Sequence, residues 1–531
     1  MDKTRSNCVS GCKGLDPDIC EKAPRCSYAK GEKRQFCRLH KTYKMNRADC
    51  SVRKKTNKRQ KALVIHKFMK NTTFKRRAEF LKAHCTESGT CYSLGMNRKK
   101  IFEFFEGFTG FDYVSPPIRA IGNPSSNGFV KSINYERKGY SADAVLKSST
   151  KASADNLAYE FAVGCYLNKM GNQFPCFVQT YGLYYYKDEA SWEHAKNTKK
   201  IQTNILSDSL KLYKKLGTYS GDVVDVINDG VCEGSKHCAI LIQHLKLVST
   251  IGDVFKKGTQ ADIGQFILTD LLYVLYQVYM PLAMMVDNFT HYDLHHNNVM
   301  LYEPLQNMYI QYHYHVDGDV VSFKSNYMAK MIDYGRAFYK DPDNPKNSST
   351  SALKAVCKIP DCNDGKEDCG DRSGFRYLSN DSTPDTYYMS SAVKNPSSDL
   401  RLLHILAKNH KVGDNRFDMR YAHAGFDVSD LFDPIADLMD STNYGIGLDP
   451  GETTAFGTRP LSHNGYPYKI NNVRDAEKFI RKVIVNNTTI QDYNEFIFED
   501  MEKMGDLHVY SDGRNMRFKS ENLRFSEPLP R

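Results

Sequence analysis

The chain has 531 residues, and 41% of them are hydrophobic, which is an ordinary fraction for a globular protein with a buried core. The length alone predicts roughly two to four domains. No run of eighteen apolar residues occurs, so we expect no membrane-spanning helix. The first residues, MDKTRSNCVSGCKG, lack the apolar segment of a secretory signal, which predicts a protein kept on the cytosolic side.

The positive charge is concentrated near the N-terminus. The formal net charge is +11, and residues 51–85 contain twelve Lys and Arg against the single acid Glu79, so this segment alone carries 12 − 1 = +11. The rest of the chain balances to about zero, which excludes a uniformly basic enzyme. The segment is either a solvated helical face or a surface for nucleic acid or an acidic partner.

Cysteine is also concentrated in the N-terminal part, which we expect to be loop-like over residues 1–50. Eight of the 15 cysteines lie within the first 91 residues: Cys8, Cys12, Cys20, Cys26, Cys37, Cys50, Cys85 and Cys91. The odd total favours thiols or metal ligands over disulfides in a reducing compartment. The spacing lacks the paired knuckles of common zinc sites, so zinc, free thiols and disulfides all stay open.

The next part of the chain predicts a small sheet with one helix. Apolar residues at helical spacing over 155–171 predict a helix that ends near Gly171. The polar stretch of roughly fifty residues before the last strand predicts a partly looped segment. Short strands are predicted at 129–137, 141–147, 176–186 and 238–245.

After residue 245 the pattern is mostly helical. Residues 261–288 predict a long apolar helix that is bent near Pro281. Because polar residues interrupt its apolar sequence, we expect a buried core helix rather than a membrane span. Residues 309–323 alternate around an Asp-Gly pair and predict a hairpin. A short strand is predicted at the start of 330–340, and another helix at 399–410. Strands followed by helices predict an α+β fold.

A polar segment, HYDLHHNNVM at 291–300, follows the long helix. It holds Asp293 and Asn298, and its histidines raise the question of a metal site or a plain polar turn. About forty residues beyond Asp293, Asp333 precedes an aromatic residue and a glycine at the end of a predicted strand. Carboxylate and amide oxygens are the ligands that Mg²⁺ prefers, so these residue types suit a magnesium-dependent reaction.

Two upstream residues complete the pattern. Lys147 ends a predicted strand, and Glu160 lies thirteen residues later in the predicted helix. Either residue alone is usually a solvated surface residue. The order Lys, Glu, His-x-Asp-x-x-x-x-Asn and Asp-x-Gly, however, resembles the protein kinase family.

The resemblance implies a two-lobed protein kinase-like fold with a Cys-rich and basic N-terminal extension. The extension would cover residues 1–100, the N-lobe 118–245 and the C-lobe 246–531. The implied activity is ATP- and Mg-dependent phosphoryl transfer to protein hydroxyl groups, with Ser and Thr as the favoured acceptors.

The resemblance also assigns roles to individual residues. Lys147 would hold the nucleotide phosphates, and Glu160 would hold Lys147 in place. Asp293 would be the catalytic base, and Asn298 and Asp333 would bind Mg²⁺.

The remaining nucleotide contacts follow from weaker matches. IGNPSSNGFVKSINY (121–135) stands where the family has its glycine-rich loop, although its earlier glycine positions are not kept. The end of the strand at 238–245 would offer backbone groups to adenine. The further residues expected around the nucleotide are Gly122, Ser125, Asn127, Gly128, Val130, Gln243 and Leu245.

Several residues depart from the family pattern. Tyr292 stands where the family has arginine, which removes the usual partner of an activation-loop phosphate. His295 stands where serine/threonine kinases favour lysine, so the loop does not reveal the acceptor residue. His291 would be a scaffold residue, and Asp399 would either brace the catalytic loop or cap a helix.

Two alternatives to a protein kinase stay open. A small-molecule kinase of the aminoglycoside or choline type shares the His-x-Asp loop, but Gly335 argues against it. A pseudokinase scaffold, such as a virion component, suits the altered glycine loop but does not need the retained site residues. CSYAKGEKRQFCRLHKTY (26–43) is similar to a cysteine motif in proteins of large cytoplasmic DNA viruses, which implies a cytoplasmic or virion location.

Overall fold

The structure is a computed structural model, and its contacts divide the chain into two units, Met1–Thr73 and Phe74–Arg531. It describes residues 26–30, 35–39, 98–121, 124, 128–137, 140–149, 156–203, 206, 210–212, 237–245, 248–304, 307–356, 376–378, 388–412, 426–442, 444, 462–463, 466–467 and 470–520.

Strands and helices alternate along the described residues. The strands are β1 (Cys26–Lys30), β2 (Gln35–Leu39), β3 (Val114–Ala120), β4 (Gly128–Arg137), β5 (Tyr140–Ser149), β6 (Thr180–Tyr186), β7 (Lys200–Ile201), β8 (Leu210–Leu212), β9 (Cys238–Gln243), β10 (Val248–Thr250), β11 (Phe289–Thr290), β12 (Val299–Tyr302), β13 (Met308–Val316), β14 (Asp319–Ser325), β15 (Met328–Met331), β16 (Phe338–Tyr339), β17 (Arg376–Leu378), β18 (Tyr388–Ser390), β19 (Ser462–His463), β20 (Tyr466–Pro467), β21 (Glu502–Tyr510) and β22 (Arg517–Ser520). The helices are α1 (Arg98–Phe104), α2 (Asn156–Met170), α3 (Glu189–Asn197), α4 (Ile251–Lys257), α5 (Gln260–Met284), α6 (Ser349–Val356), α7 (Arg401–Lys408), α8 (Val428–Asp440), α9 (Val473–Asn486) and α10 (Thr488–Ile497).

In the first unit the structure describes one antiparallel hairpin, formed by β1 and β2. Cys26 pairs with Leu39 and Tyr28 with Cys37 across the two strands. The prediction that this part is loop-like is therefore wrong for the hairpin. The basic segment 51–85 and the other N-terminal cysteines lie outside the described residues, so their predicted roles in binding nucleic acid or zinc stay predictions.

Within the second unit, seven antiparallel strands form a sheet in the order β7-β3-β4-β5-β9-β6-β8. The strands and the helix predicted between residues 129 and 245 are confirmed, with small shifts of their ends. β3 had not been predicted, and α3 lies in the segment expected to be partly looped. Gly128 begins β4 where an added Cβ would lie only 2.6 Å from the Ser148 carbonyl oxygen, so the two strands approach closely there.

The long helix α5 is a core helix, as its sequence predicted. It is long and apolar enough to cross a membrane, but 94% of its apolar window is buried inside the protein. It runs through Pro281 to Met284, and it widens into a π-helical turn at Ile267–Leu271. The described residues therefore contain no clear membrane span.

The predicted hairpin at 309–323 is confirmed as β13 and β14. Asp317 and Gly318 form its turn with φ values of 52° and 91°, which suit the right-handed twist of the flanking strands. Strands β21 and β22, which the sequence analysis missed, extend this hairpin into a sheet of order β14-β13-β21-β22. The side chains of Tyr312 and Tyr314 are fully buried on one face of that sheet. Mainly antiparallel sheets together with ten helices among the described residues make this an α+β fold.

Candidate active site

Strand register brings Asn298 and Asp333 to the same sheet edge. Asn298 immediately precedes β12, and Asp333 follows β15 by two residues. These strands are antiparallel, and Val299 pairs with Met331, so the start of one lies beside the end of the other. The Ile332 N–H also donates to the Asn298 carbonyl at 3.1 Å. The two predicted metal ligands are thus neighbours, although 35 positions separate them in the sequence.

Lys147 joins two carboxylates at the centre of the site. Its Nζ donates to Glu160 Oε2 at 2.7 Å and to Asp333 Oδ1 at 2.9 Å. Lys147 lies on β5, Glu160 on α2, and Asp333 in the loop after β15. Three residues predicted from their order in the sequence therefore meet at one ammonium group.

The electrostatics of this group follow from burial and charge. Burial alone would lower the pKa of Lys147, but Asp333 and Glu160 raise it above its ordinary value. Burial raises the pKa of Glu160 to about 7, against the influence of Lys147. Lys147 holds the pKa of Asp333 below its usual range. The lysine is charged at neutral pH, and Asp333 is ionised beside it.

The loop that carries Asp293 is held by the buried carboxylate of Asp399. The His291 N–H donates to Asp399 Oδ2 at 2.8 Å, and the Tyr292 N–H donates to Oδ1 at 2.9 Å. Asp399 is only 2% exposed. Of the two roles considered for this residue, bracing the loop is the one that its contacts support. The short helical turn at Ser398–Leu400 has no side-chain cap.

Two residues of the site have an unusual backbone conformation. Tyr292 has φ of 62° and Asp333 has φ of 67°, both in the left-handed region. Such residues cost on the order of 1–2 kcal/mol and persist only where their surroundings hold them. The Tyr292 hydroxyl donates to the Val393 carbonyl at 2.5 Å, which adds a second tie beside the Asp399 contact.

His291 is fully buried and supports the loop from inside. Its Nε2 donates to the Ile332 carbonyl at 3.0 Å, because a carbonyl can only accept. Burial lowers the pKa of His291, so the ring is neutral at pH 7. Its ring packs edge to face against that of Tyr334, with 5.8 Å between the ring centroids. The Tyr334 hydroxyl donates to the Met331 carbonyl at 2.6 Å. These contacts connect the Asp293 loop to the segment that carries Asp333.

Asp293 is surrounded by basic side chains. Arg401 Nη1 lies 2.7 Å from Asp293 Oδ1, and Arg336 Nη1 lies 3.6 Å from Oδ2. His295 Nε2 is 3.8 Å from Oδ1. Burial lowers the pKa of His295, which favours the neutral ring. The Asn298 amide nitrogen donates to the Asp293 carbonyl at 2.9 Å and fixes the loop around this carboxylate.

Only part of the predicted glycine-rich loop can be placed. Gly122, Ser125 and Asn127 lie outside the described residues. Gly128 and Val130 lie on β4, and Val130 pairs directly with Lys147 on β5. These two residues therefore adjoin the predicted phosphate-binding lysine, and their contact with a nucleotide stays a prediction.

Of the predicted adenine-contacting residues, Gln243 is the last residue of β9, and Leu245 lies two residues beyond it. The Gln243 N–H donates to the Gln179 carbonyl at 2.7 Å, and Gln243 Oε1 accepts from the Gln179 N–H at 3.2 Å. Both Gln243 and Leu245 are buried. The Gln243 N–H is thus used within the protein, and adenine recognition by Gln243 and Leu245 stays a prediction.

The predicted metal ligands fit Mg²⁺ in a limited way. Among the described residues, no group of three or more His, Cys, Asp or Glu side chains is arranged to hold a metal ion. The Asn298 amide donates a hydrogen bond through its nitrogen, so its amide oxygen is the atom that could bind a cation. The side chain of Asp333, beside Lys147, is 46% exposed to solvent. One carboxylate and one amide suit Mg²⁺, which usually completes its coordination with waters and substrate phosphates.

Two residues of this site, Arg336 and Arg401, were not predicted from the sequence. Arg336 directly follows Gly335, and Arg401 lies two residues after Asp399. Their closeness in the sequence to Gly335 and Asp399 was the only sign that they could belong to the site. Comparison of the sequence with known protein families and with curated proteins finds no significant match.

Proposed function

We propose that the protein transfers the terminal phosphoryl group of ATP to a protein hydroxyl group, with Ser and Thr as the favoured acceptors. The observation that carries the proposal is the contact of Lys147 Nζ with both Glu160 and Asp333. These carboxylates stand 13 and 186 residues from the lysine in the sequence. Chance surface residues would not meet in this way.

The proposal extends to the architecture. The seven-stranded sheet with α2 would be the smaller lobe of a protein kinase-like fold, and the helix-rich remainder would be the larger lobe. The site described above would then lie where β5 and α2 meet the loops at residues 291–298 and 333–336. The sheet order and the contact between Lys147 on β5 and Glu160 on α2 support this arrangement.

The residues act mainly by positioning and by neutralising charge. Lys147 would hold the phosphates, and Glu160 would keep the lysine in place. Asp293 would accept the proton of the attacking hydroxyl. Asn298 and Asp333 would hold Mg²⁺, which when bound neutralises charge on the phosphates.

The test combines nucleotide binding with phosphoryl transfer. Wild-type protein with Mg²⁺ and labelled ATP is expected to label itself or a generic protein substrate. Asp293→Asn should retain nucleotide binding, seen as a thermal shift, but lose transfer by about 10²-fold or more, since a positioned base typically contributes this much. Lys147→Met should weaken both binding and transfer.

A matched control is Lys324→Met, because Lys324 also pairs with a glutamate, Glu495, at 2.5 Å but takes no part in the candidate site. It should transfer phosphate as wild type does. Equal rates for wild type, Asp293→Asn and Lys147→Met would refute the proposal. Binding of ATP without transfer in wild type would favour a pseudokinase, and transfer only to small molecules would favour the other alternative.

A further inference from the structure

The carboxylate of Asp293 is paired with a guanidinium from a distant part of the chain. Arg401 is the first residue of α7, and its Nη1 lies 2.7 Å from Asp293 Oδ1, across a separation of 108 residues. Asp399, two residues earlier, holds the backbone of the same loop. One short segment of chain therefore fixes the loop that carries Asp293 and also supplies a positive charge beside its carboxylate.

The site needs such a charge. When Asp293 accepts a proton from an attacking hydroxyl, the phosphoryl group in transfer lies close to this carboxylate. The negative charge of the phosphoryl group is spread over its three equatorial oxygens, and the nearby carboxylate of Asp293 repels them. A fixed cation that reaches both groups offsets the repulsion, and it is most effective where water is excluded.

The neighbouring cations are less suited to this role. Lys147 pairs with Glu160 and Asp333, and in the proposed function it holds the nucleotide phosphates rather than orienting Asp293. His295 Nε2 lies 3.8 Å from Asp293 Oδ1, beyond hydrogen-bond distance. Arg336 is also farther from Asp293 than Arg401 is, at 3.6 Å, and its side chain is 34% exposed against 22% for Arg401. Arg401 is permanently charged and presents several N–H donors in a planar fork.

We propose that Arg401 is a catalytic residue that binds the γ-phosphoryl group during transfer while it orients Asp293. The inference rests on the proposed function. In this step the acceptor oxygen bonds to the γ-phosphorus as the bond from that phosphorus to the β,γ-bridging oxygen breaks. The hydroxyl proton passes to Asp293, and the bridging oxygen leaves with the nucleoside diphosphate. Arg401 donates N–H groups to the non-bridging γ-oxygens.

The test uses the full chain with Arg401→Gln and Arg401→Lys. It measures kcat, the KM for ATP, and the Kd of MgADP with and without aluminium fluoride, which mimics the phosphoryl group in transfer. In wild type, aluminium fluoride should tighten MgADP binding by about 100-fold or more. Arg401→Gln should bind MgADP as wild type does but lose most of this tightening, and its kcat should fall by about 10²- to 10³-fold with little change in KM.

The matched control is Arg474→Gln. Arg474 also pairs with an aspartate, Asp287, at 2.9 Å, but its side chain is 55% exposed. This variant should keep the aluminium fluoride effect and the wild-type kcat.

Retention of the aluminium fluoride effect by Arg401→Gln would overturn the inference, since a purely structural arginine would leave that effect intact. If Arg401→Gln does not fold, Arg401→Lys decides: a reduced effect supports the inference, and a wild-type effect with a wild-type kcat overturns it. Failure of wild type to bind MgADP or to transfer phosphate refutes the proposed function itself, and the inference falls with it.

Discussion

Replacement of Asp399 by alanine is expected to destabilise the loop at residues 291–298 strongly. The carboxylate is buried and accepts the N–H groups of His291 and Tyr292 at 2.8 and 2.9 Å. Burial raises the pKa of Asp399 to about 7, so the carboxyl group is only partly ionised at neutral pH. Loss of a hydrogen bond that leaves a buried donor unpaired costs about 1–3 kcal/mol. Loss of two such bonds predicts a fall of about 3–5 kcal/mol in the free energy of unfolding, because both N–H groups would stay buried without an acceptor.

Asp399→Asn separates the hydrogen bonds from the effect of side-chain volume. The amide has nearly the same shape, but it offers one oxygen acceptor, and its NH₂ group would face the second N–H donor. We therefore expect roughly half of the loss seen for alanine. Urea denaturation followed by circular dichroism measures both values, and its extrapolation error of about 10–15% is small enough to resolve them.

Asp287→Ala is the matched control for this prediction. Asp287 pairs with Lys394 at 2.6 Å and Arg474 at 2.9 Å, but its side chain is 59% exposed. Exposed ion pairs typically contribute less than about 1 kcal/mol, so this variant should stay close to wild type. Equal losses for Asp287→Ala and Asp399→Ala would refute the argument that the buried carboxylate holds the loop.

Two further predictions concern a buried tyrosine and a half-buried aspartate. The Tyr159 hydroxyl donates to the Ala337 carbonyl at 2.6 Å and contacts the Ser349 hydroxyl at 2.7 Å. Tyr159→Phe should therefore lower the free energy of unfolding by about 1–3 kcal/mol. An unchanged urea midpoint would contradict this prediction. Burial raises the pKa of Asp270 to about 7, against a hydrogen bond from Thr269. The folded protein thus keeps a proton that the unfolded chain releases, so stability falls as the pH rises from about 4 to about 7. Asp270→Asn should reduce this fall, to which Glu160 and Asp399 contribute through similarly raised pKa values, and should raise the Tm at about pH 8. An unchanged pH dependence of the Tm would exclude the Asp270 carboxyl group as one of its causes.

Elements with a clear periodic pattern were predictable from the sequence. Helices α2 and α5 and the hairpin of β13 and β14 lie within a few residues of their predicted bounds. Lys147 and Glu160 could be assigned to a strand and a helix because their surroundings have those periods. The contact of Lys147 with both Glu160 and Asp333 could be expected only from the order of the motifs.

Non-local pairing was not predictable in the same way. Strand β21 lies parallel to β13, and it pairs His313 with His508 nearly two hundred residues away. No turn signal connects such strands, because a parallel pair needs a long crossover connection. Arg401 was missed for a related reason. On its own helix it resembles an ordinary polar-face residue, and only the folded chain places it beside Asp293.

Internal contacts hold the loop before Asp293 and helix α2 in place. Tyr292 is held by Asp399 and Val393, and α2 is tied to the segment after Asp333 by Tyr159 and by the ion pair of Lys169 with Asp341 at 2.5 Å. Asp341 is 1% exposed, so this ion pair is shielded from solvent at its acidic end. None of these contacts requires an added phosphate group. In the proposed kinase, the catalytic loop and the glutamate-bearing helix would therefore be positioned by folding itself, which agrees with tyrosine rather than arginine before Asp293.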